Sequence, residues 1–296
     1  MTSLNNQNYP ASNANSSQVS AFSEFSMGSL LLRMGKITAE DVERIAQFQK
    51  EREIRFGEAA ISLGLINETD IAEVLARQFD YPYMLSSEDI NSELIAAYQP
   101  FSHKAEILRG VRSQLMMHWF SPERKSLVVS AVDSDHGVSH FIANLGVVFA
   151  QLGEKTLLID ANLRQPRLHK IFNSNEKRGL ADILAGRVGF DVVEKIGFFD
   201  NLSLLNAGTI PPNPQELISK PIFNKLLSHY STEYDVILID TPSFSSGADV
   251  QTIAANSGGI FIVVKKNHSR INDLENIAEQ LRNNGTPVVG SVLTEF

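Results

Sequence analysis

No cysteine occurs among the 296 residues, which excludes disulfides, thiol nucleophiles and zinc–thiolate centres and fits a reducing, cytoplasmic compartment. Long apolar runs are missing too: none approaches the roughly 20 residues needed to cross a bilayer, and the N-terminus lacks the basic start and hydrophobic centre of a signal peptide. Positive charge is in deficit. With 26 Lys and Arg against 34 Asp and Glu, the net charge of −8 argues against a general affinity for nucleic acid or anionic lipid. The seven histidines show no paired metal spacing such as HExxH. What is present is an ordinary globular composition, 43% hydrophobic and 20% charged, long enough for two domains with a sizeable core.

Residues 1–23 are rich in Asn, Ser and Gln and nearly devoid of apolar side chains, so a disordered tail is expected there. A repeat then appears on shifting the chain by 29 residues: SMGSLLLRMGKITAEDVERIAQFQ lies over RFGEAAISLGLINETDIAEVLARQ. Gly28 matches Gly57, Gly35 matches Gly64, Asp41 matches Asp70 and Gln49 matches Gln78. Each copy reads as a short helix ended by a glycine suited to a left-handed cap, then a second helix started by Thr38 or Asn67. A helical hairpin used twice is expected over residues 24–85, followed by a linker over 86–102 that carries one short helix and in which Pro100 acts as a breaker.

The doubled pattern resembles the N-terminal domain of type II secretion and type IV pilus assembly ATPases, some of which bind cyclic di-GMP. The resemblance implies candidate contacts at Gly28, Gly35, Gln49, Arg55, Gly57, Gly64 and Gln78. The family's first copy opens with Arg, and here that position is Ser26. A plain docking module is the alternative.

From residue 103 the pattern changes. The segment 103–119 is helical, with Ile107, Leu108, Val111 and Leu115 on one side and Glu106, Arg109 and Arg112 at successive three-residue steps. Then SLVVSAVDSDHGVSHFIANLGVVFAQ gives a buried strand, a polar loop and an amphipathic helix. The loop ends in Gly137-Val138-Ser139, where backbone N–H groups at the helix start, including that of His140, are suited to an anion. Two further apolar strands each end in a carboxylate, Asp160 and Asp240, on the rim where open α/β sheets bind ligands. Two such acids beside a phosphate-binding loop suit Mg²⁺, directly or through water. Strands at 259–264 and 287–293 flank a helix over 271–283. The expected fold is α/β, a mostly parallel sheet with helices on both faces, P-loop NTPase-like, spanning 103–296 and preceded by the helical repeat.

Five motifs in order, ExxRxxR at Glu106, Arg109 and Arg112, then LLIDANLRQPRLHKIF, GLADILAG, LNAGTIPPNPQEL and YDVILIDTPSF, resemble the cytoplasmic domain of bacterial polysaccharide-associated tyrosine kinases. The resemblance covers roughly residues 100–296. It implies ATP with Mg²⁺, assembly into a homo-oligomer through Glu106, Arg109 and Arg112, and a membrane polysaccharide co-polymerase or chain-length determinant as partner at the inner face of the membrane. It also implies that Ser139 reaches the metal and that Asp160, Arg164 and Asp240 take part in catalysis. Against that pattern, Val138 stands in place of the loop Lys, Val132 in place of the opening Gly, Asn162 in place of a second acid, and Thr294 in place of an Asn near the adenine. The loop is one residue longer and carries two acids, Asp133 and Asp135, with His136 beside them; no Tyr follows Tyr234. Removing the loop cation forfeits about 4 kcal/mol of attraction to phosphate at an effective dielectric near 20. The expectation is a degenerate kinase-like regulator or scaffold of exopolysaccharide assembly, weak or inactive as an enzyme. The alternatives are an active tyrosine kinase and a partitioning-type ATPase.

Overall fold

The computed structural model describes residues 26–78, 91, 93–133 and 137–294, in two compact units divided between Tyr81 and Pro82. The expected tail at 1–23, the loop residues Asp135 and His136, and the side chain of Gln78 lie outside the described residues.

The first unit is the doubled hairpin. Helix α1 (Met27–Arg33) and α2 (Ala39–Arg52) form one copy, α3 (Phe56–Ser62) and α4 (Glu68–Gln78) the other. Gly35 and Gly64 adopt φ of 67° and 69°, the left-handed turn that L side chains disfavour. Thr38 and Asp41 exchange hydrogen bonds as a capping box, with Thr38 N donating to Asp41 Oδ2 at 3.0 Å; Asn67 and Asp70 repeat the exchange in the second copy. The other two glycines serve close packing. A Cβ on Gly28 would meet Phe56 at 3.1 Å, and one on Gly57 would meet Ile71 at 2.8 Å and Met27 at 3.2 Å. Since Met27 and Phe56 are themselves counterparts under the 29-residue shift, each copy lends a side chain to the wall around the other's glycine, with Ile71 of its own copy nearest to Gly57. Lys36 adds ion pairs to Asp70 at 2.8 Å and Glu73 at 3.4 Å.

The second unit is built on a seven-stranded sheet. Its strands are β1 (Ser126–Ala131), β2 (Thr156–Asp160), β3 (Glu194–Lys195), β4 (Leu202–Leu205), β5 (Val236–Asp240), β6 (Ile260–Lys265) and β7 (Val288–Thr294), in the order β3-β4-β2-β5-β1-β6-β7. All pairings are parallel except β3 with β4. β2 and β5 are buried along their whole length, as strands covered on both faces must be. Alternate residues feed two cores: Leu127, Val129, Leu158 and Leu238 on one face, Val128, Leu157, Ile159 and Ile237 on the other. The long helix Val138–Gln151 lies against the first face, where Gly146 admits Leu158: a Cβ there would sit 2.7 Å from the leucine. The single Trp, Trp119, is pinned by its indole N–H to Ser126 O at 3.0 Å and fills the space over Gly259 that a Cβ would occupy.

Of the residues expected in the linker over 86–102, the described stretch 93–102 packs into this unit. Leu94, Ala96 and Ala97 are fully buried. The buried amide of Asn144 accepts from Ala96 N at 2.9 Å and donates to Glu93 O at 3.1 Å, tying the short helix Ile95–Tyr98 to the long one. The one short helix expected in this segment is therefore Ile95–Tyr98, and its packing partner Asn144 lies some fifty residues away, so its place in the core is set by tertiary structure. Among the described residues no helix is long and apolar enough to cross a membrane.

Candidate functional site

The topology brings the two carboxylates together. β5 lies between β1 and β2, and Asp160 and Asp240 are direct neighbours in its pairing with β2. Both are fully buried. Burial pushes the Asp160 carboxyl up to about 7, and burial together with the charge of Asp160 drives Asp240 well above the ordinary carboxylate range.

Beside them lies the helix Val138–Gln151, entered through Gly137. Gly137 turns the chain with φ of 68° and precedes a helix whose first-turn amides have no intrahelical acceptor. The Ser139 hydroxyl donates to Asp240 Oδ2 at 2.6 Å, while Asp240 Oδ1 has no hydrogen-bond partner among the described residues. Thr241 Oγ1 donates to Val129 O at 3.0 Å and Ser130 Oγ to Pro242 O at 2.8 Å, locking the ends of β1 and β5 side by side. A cleft of about 310 Å³ opens beside them, lined among others by Asp133, Gly137, Val138, Ser139, Asn162 and Thr241.

Several sequence-predicted residues take other parts. Asp160 accepts from the amides of Asn162 at 3.3 Å, Arg167 at 3.1 Å and Leu168 at 3.1 Å, so both its oxygens are committed to the loop and the short helix Leu168–Ile171. Asn162 accepts from Gln165 N at 3.1 Å, a side-chain turn within the same loop. Arg164 lines the cleft, but its guanidinium grips the buried Asp249 in a bidentate pair at 2.7 and 3.2 Å. His140 pairs with Glu93 and does not line the cleft. Val132 is buried in the second core, and its carbonyl accepts from Ser245 N. Thr294 is buried, donating to Val264 O at 3.3 Å, and is likewise not among the cleft residues. Val138 is half-buried and packs against the first core.

Of the residues implied for self-association, Glu106 is exposed while Arg109 and Arg112 are half-buried. Arg109 pairs with Glu106 at 2.8 Å on its own helix, and Arg112 donates to Val148 O at 2.9 Å. In the first unit, the apolar hollow beside Phe56 is lined by Gly28 alone of the proposed cyclic di-GMP set. Sequence reasoning missed Arg167, Ser243 and Ser246 in the cleft and Asp249 behind Arg164; Asp249 starts a helix 85 residues from its partner, with no local signal.

A mostly parallel sheet with a left-handed glycine opening a long helix, and acids ending two neighbouring strands, defines a P-loop-type ATPase fold. The MinD cell division ATPase of Pyrococcus furiosus shares it with a TM-score of 0.51 at 21% identity, over 57% of this chain and 71% of that one. No family model matches the chain. Curated relatives do. CapB of Staphylococcus aureus, which bears the tyrosine-protein kinase description, is 33% identical over 217 residues, covering 72% of this chain and 93% of CapB. The tyrosine-protein kinase YwqD of Bacillus subtilis is 30% identical, covering 68% and 84%. Against the tyrosine-protein kinase wzc of Salmonella typhi, 30% identical, this chain spans only 28% of the relative's length. Among solved structures, the chimerical protein CapA2B2 matches with a TM-score of 0.65 at 32% identity, over 76% of this chain and 98% of that one. The chain belongs to the bacterial polysaccharide-associated tyrosine kinases.

Proposed function

We propose that this chain is a degenerate member of that family, a regulator or scaffold of exopolysaccharide biosynthesis and export rather than an efficient kinase. The observation that carries the reading is the state of the acid the family would use as base: Asp160 is fully buried and both oxygens accept backbone amides, which leaves it badly placed to take a proton from a substrate hydroxyl. Val138 supports the same reading, because the loop presents an apolar side chain where phosphoryl transfer relies on charge stabilisation.

Nucleotide binding is retained in this proposal. The buried Asp240 Oδ1 without a partner, beside the Ser139 hydroxyl, is a hard-oxygen donor set that fits Mg²⁺. Bound there, the ion would neutralise phosphate charge; Asp240 and Ser139 hold it, and the first-turn amides orient the anion. The retained Ser139–Asp240 pair also favours the second reading, an active kinase controlling polysaccharide chain length. Incubation with labelled ATP and Mg²⁺ separates the two: no transfer to tyrosine is expected, and transfer lost in Asp160→Ala would establish the kinase instead.

A membrane polysaccharide co-polymerase is the partner this role calls for, which would hold the protein at the inner face of the membrane, and the Glu106–Arg112 helix is the surface proposed for self-association. For the first unit we favour docking over cyclic di-GMP, since Gly28 and Gly57 serve packing and Gly35 and Gly64 serve turns. Calorimetry of the full chain with cyclic di-GMP is expected to give no heat. Saturable heat lost in Arg55→Ala would reverse that preference.

A further inference from the structure

The cleft lacks a loop cation, yet it is not without positive charge. Its charged lining among the described residues is Asp133, Arg164 and Arg167, the rest being Gly, Val, Ser, Thr, Pro, Asn and Gln. Arg164 is not available to a ligand: releasing it would strand Asp249, only 1% exposed, without its counter-charge. Arg167 differs in having no such partner. It is exposed, its guanidinium makes no ion pair or hydrogen bond with the described residues, and it lines the cleft from the start of the short helix Leu168–Ile171.

Its backbone is fixed where such a cation is useful. The Arg167 amide donates to Asp160 Oδ2 at 3.1 Å, so the residue is anchored at the end of β2, one strand from Asp240. Its positive charge acts on Asp240, opposing the effect of burial there. The Asp160 clamp that disfavours catalysis is thus also what holds Arg167 at the rim. An arginine offers a planar fork of donors, matched to phosphate oxygens, where the loop offers only amides.

We infer that Arg167 replaces the missing loop lysine as the cation that binds the polyphosphate of a nucleotide seated at Gly137–Ser139. This rests on the reading that the cleft still takes a nucleotide. The test is thermal denaturation and calorimetry of the full chain with Mg-ADP and Mg-ATP, in the wild type and in Arg167→Ala, Arg167→Gln and Arg167→Lys. The wild type should be stabilised by nucleotide. Arg167→Ala and Arg167→Gln should bind about tenfold more weakly or worse, Arg167→Lys should retain most of the shift, and the unliganded melting temperatures should agree because the side chain is exposed. Equal affinity in wild type and Arg167→Gln overturns the role of Arg167 and leaves nucleotide binding standing. No shift in the wild type at millimolar nucleotide overturns the nucleotide reading, and the inference with it.

Discussion

Asp240→Asn is expected to flatten the dependence of stability on pH by about 2–4 kcal/mol between pH 5 and pH 8, measured by urea denaturation of chelator-treated protein. Asp160 and Asp240 are buried neighbours whose carboxyls are raised above the ordinary value of 3.8. Between that value and about 7, where Asp160 titrates in the fold, the native state holds more protons than the unfolded chain. Stability therefore falls as pH rises through that window, at up to about 1.4 kcal/mol per pH unit for each group. The two titrate as a pair, so removing one carboxylate relieves the other as well. Asn preserves the shape and an acceptor for the Ser139 hydroxyl. A wild-type protein as stable at pH 8 as at pH 5, or a variant with the same slope as the wild type, would show that the pair is not held uncompensated.

Val138→Lys is expected to tighten Mg-ATP binding by about tenfold or more. A cation about 4 Å from a phosphate gains about 4 kcal/mol at an effective dielectric near 20, and ordering a Lys side chain returns up to about 2 kcal/mol of that. The substitution gives up part of the contact that Val138 makes with the first core, so the unliganded protein should lose about 1 kcal/mol of stability. Combined with Arg167→Ala, it should restore the affinity that the arginine supplies. Transfer to tyrosine should not return with affinity, because Asp160 remains clamped by its three amides. An unchanged dissociation constant in Val138→Lys would mean that the loop does not approach phosphate at all.

Much of this architecture is written in local patterns. The strands ending in Asp160 and Asp240 are legible because burial on both faces demands continuous apolar residues, and the helix over 271–283 because one face is apolar and the other charged. The capping residues Thr38 and Asn67 and the left-handed Gly35 and Gly64 follow from backbone chemistry alone. By contrast, β4 is four residues long and carries no alternation, and β3 only two. The site is harder. That Asp160, Arg164 and His140 are held by loop amides, Asp249 and Glu93 depends on which segments the sheet order brings together. A motif names the residue type at a position, whereas its availability to a ligand is decided by neighbours remote in sequence.

The reciprocal seating of Gly28 on Phe56 and Gly57 on Met27 makes the first unit, in effect, a homodimer joined into one polypeptide. Fusion releases the halves from identity: a symmetric pair of chains must change both surfaces at once, but here Ser26 and Arg55 already differ at matched positions while the shared packing is kept. The module thus has two related outer faces that can diverge separately, on a scaffold whose shared inner packing is kept.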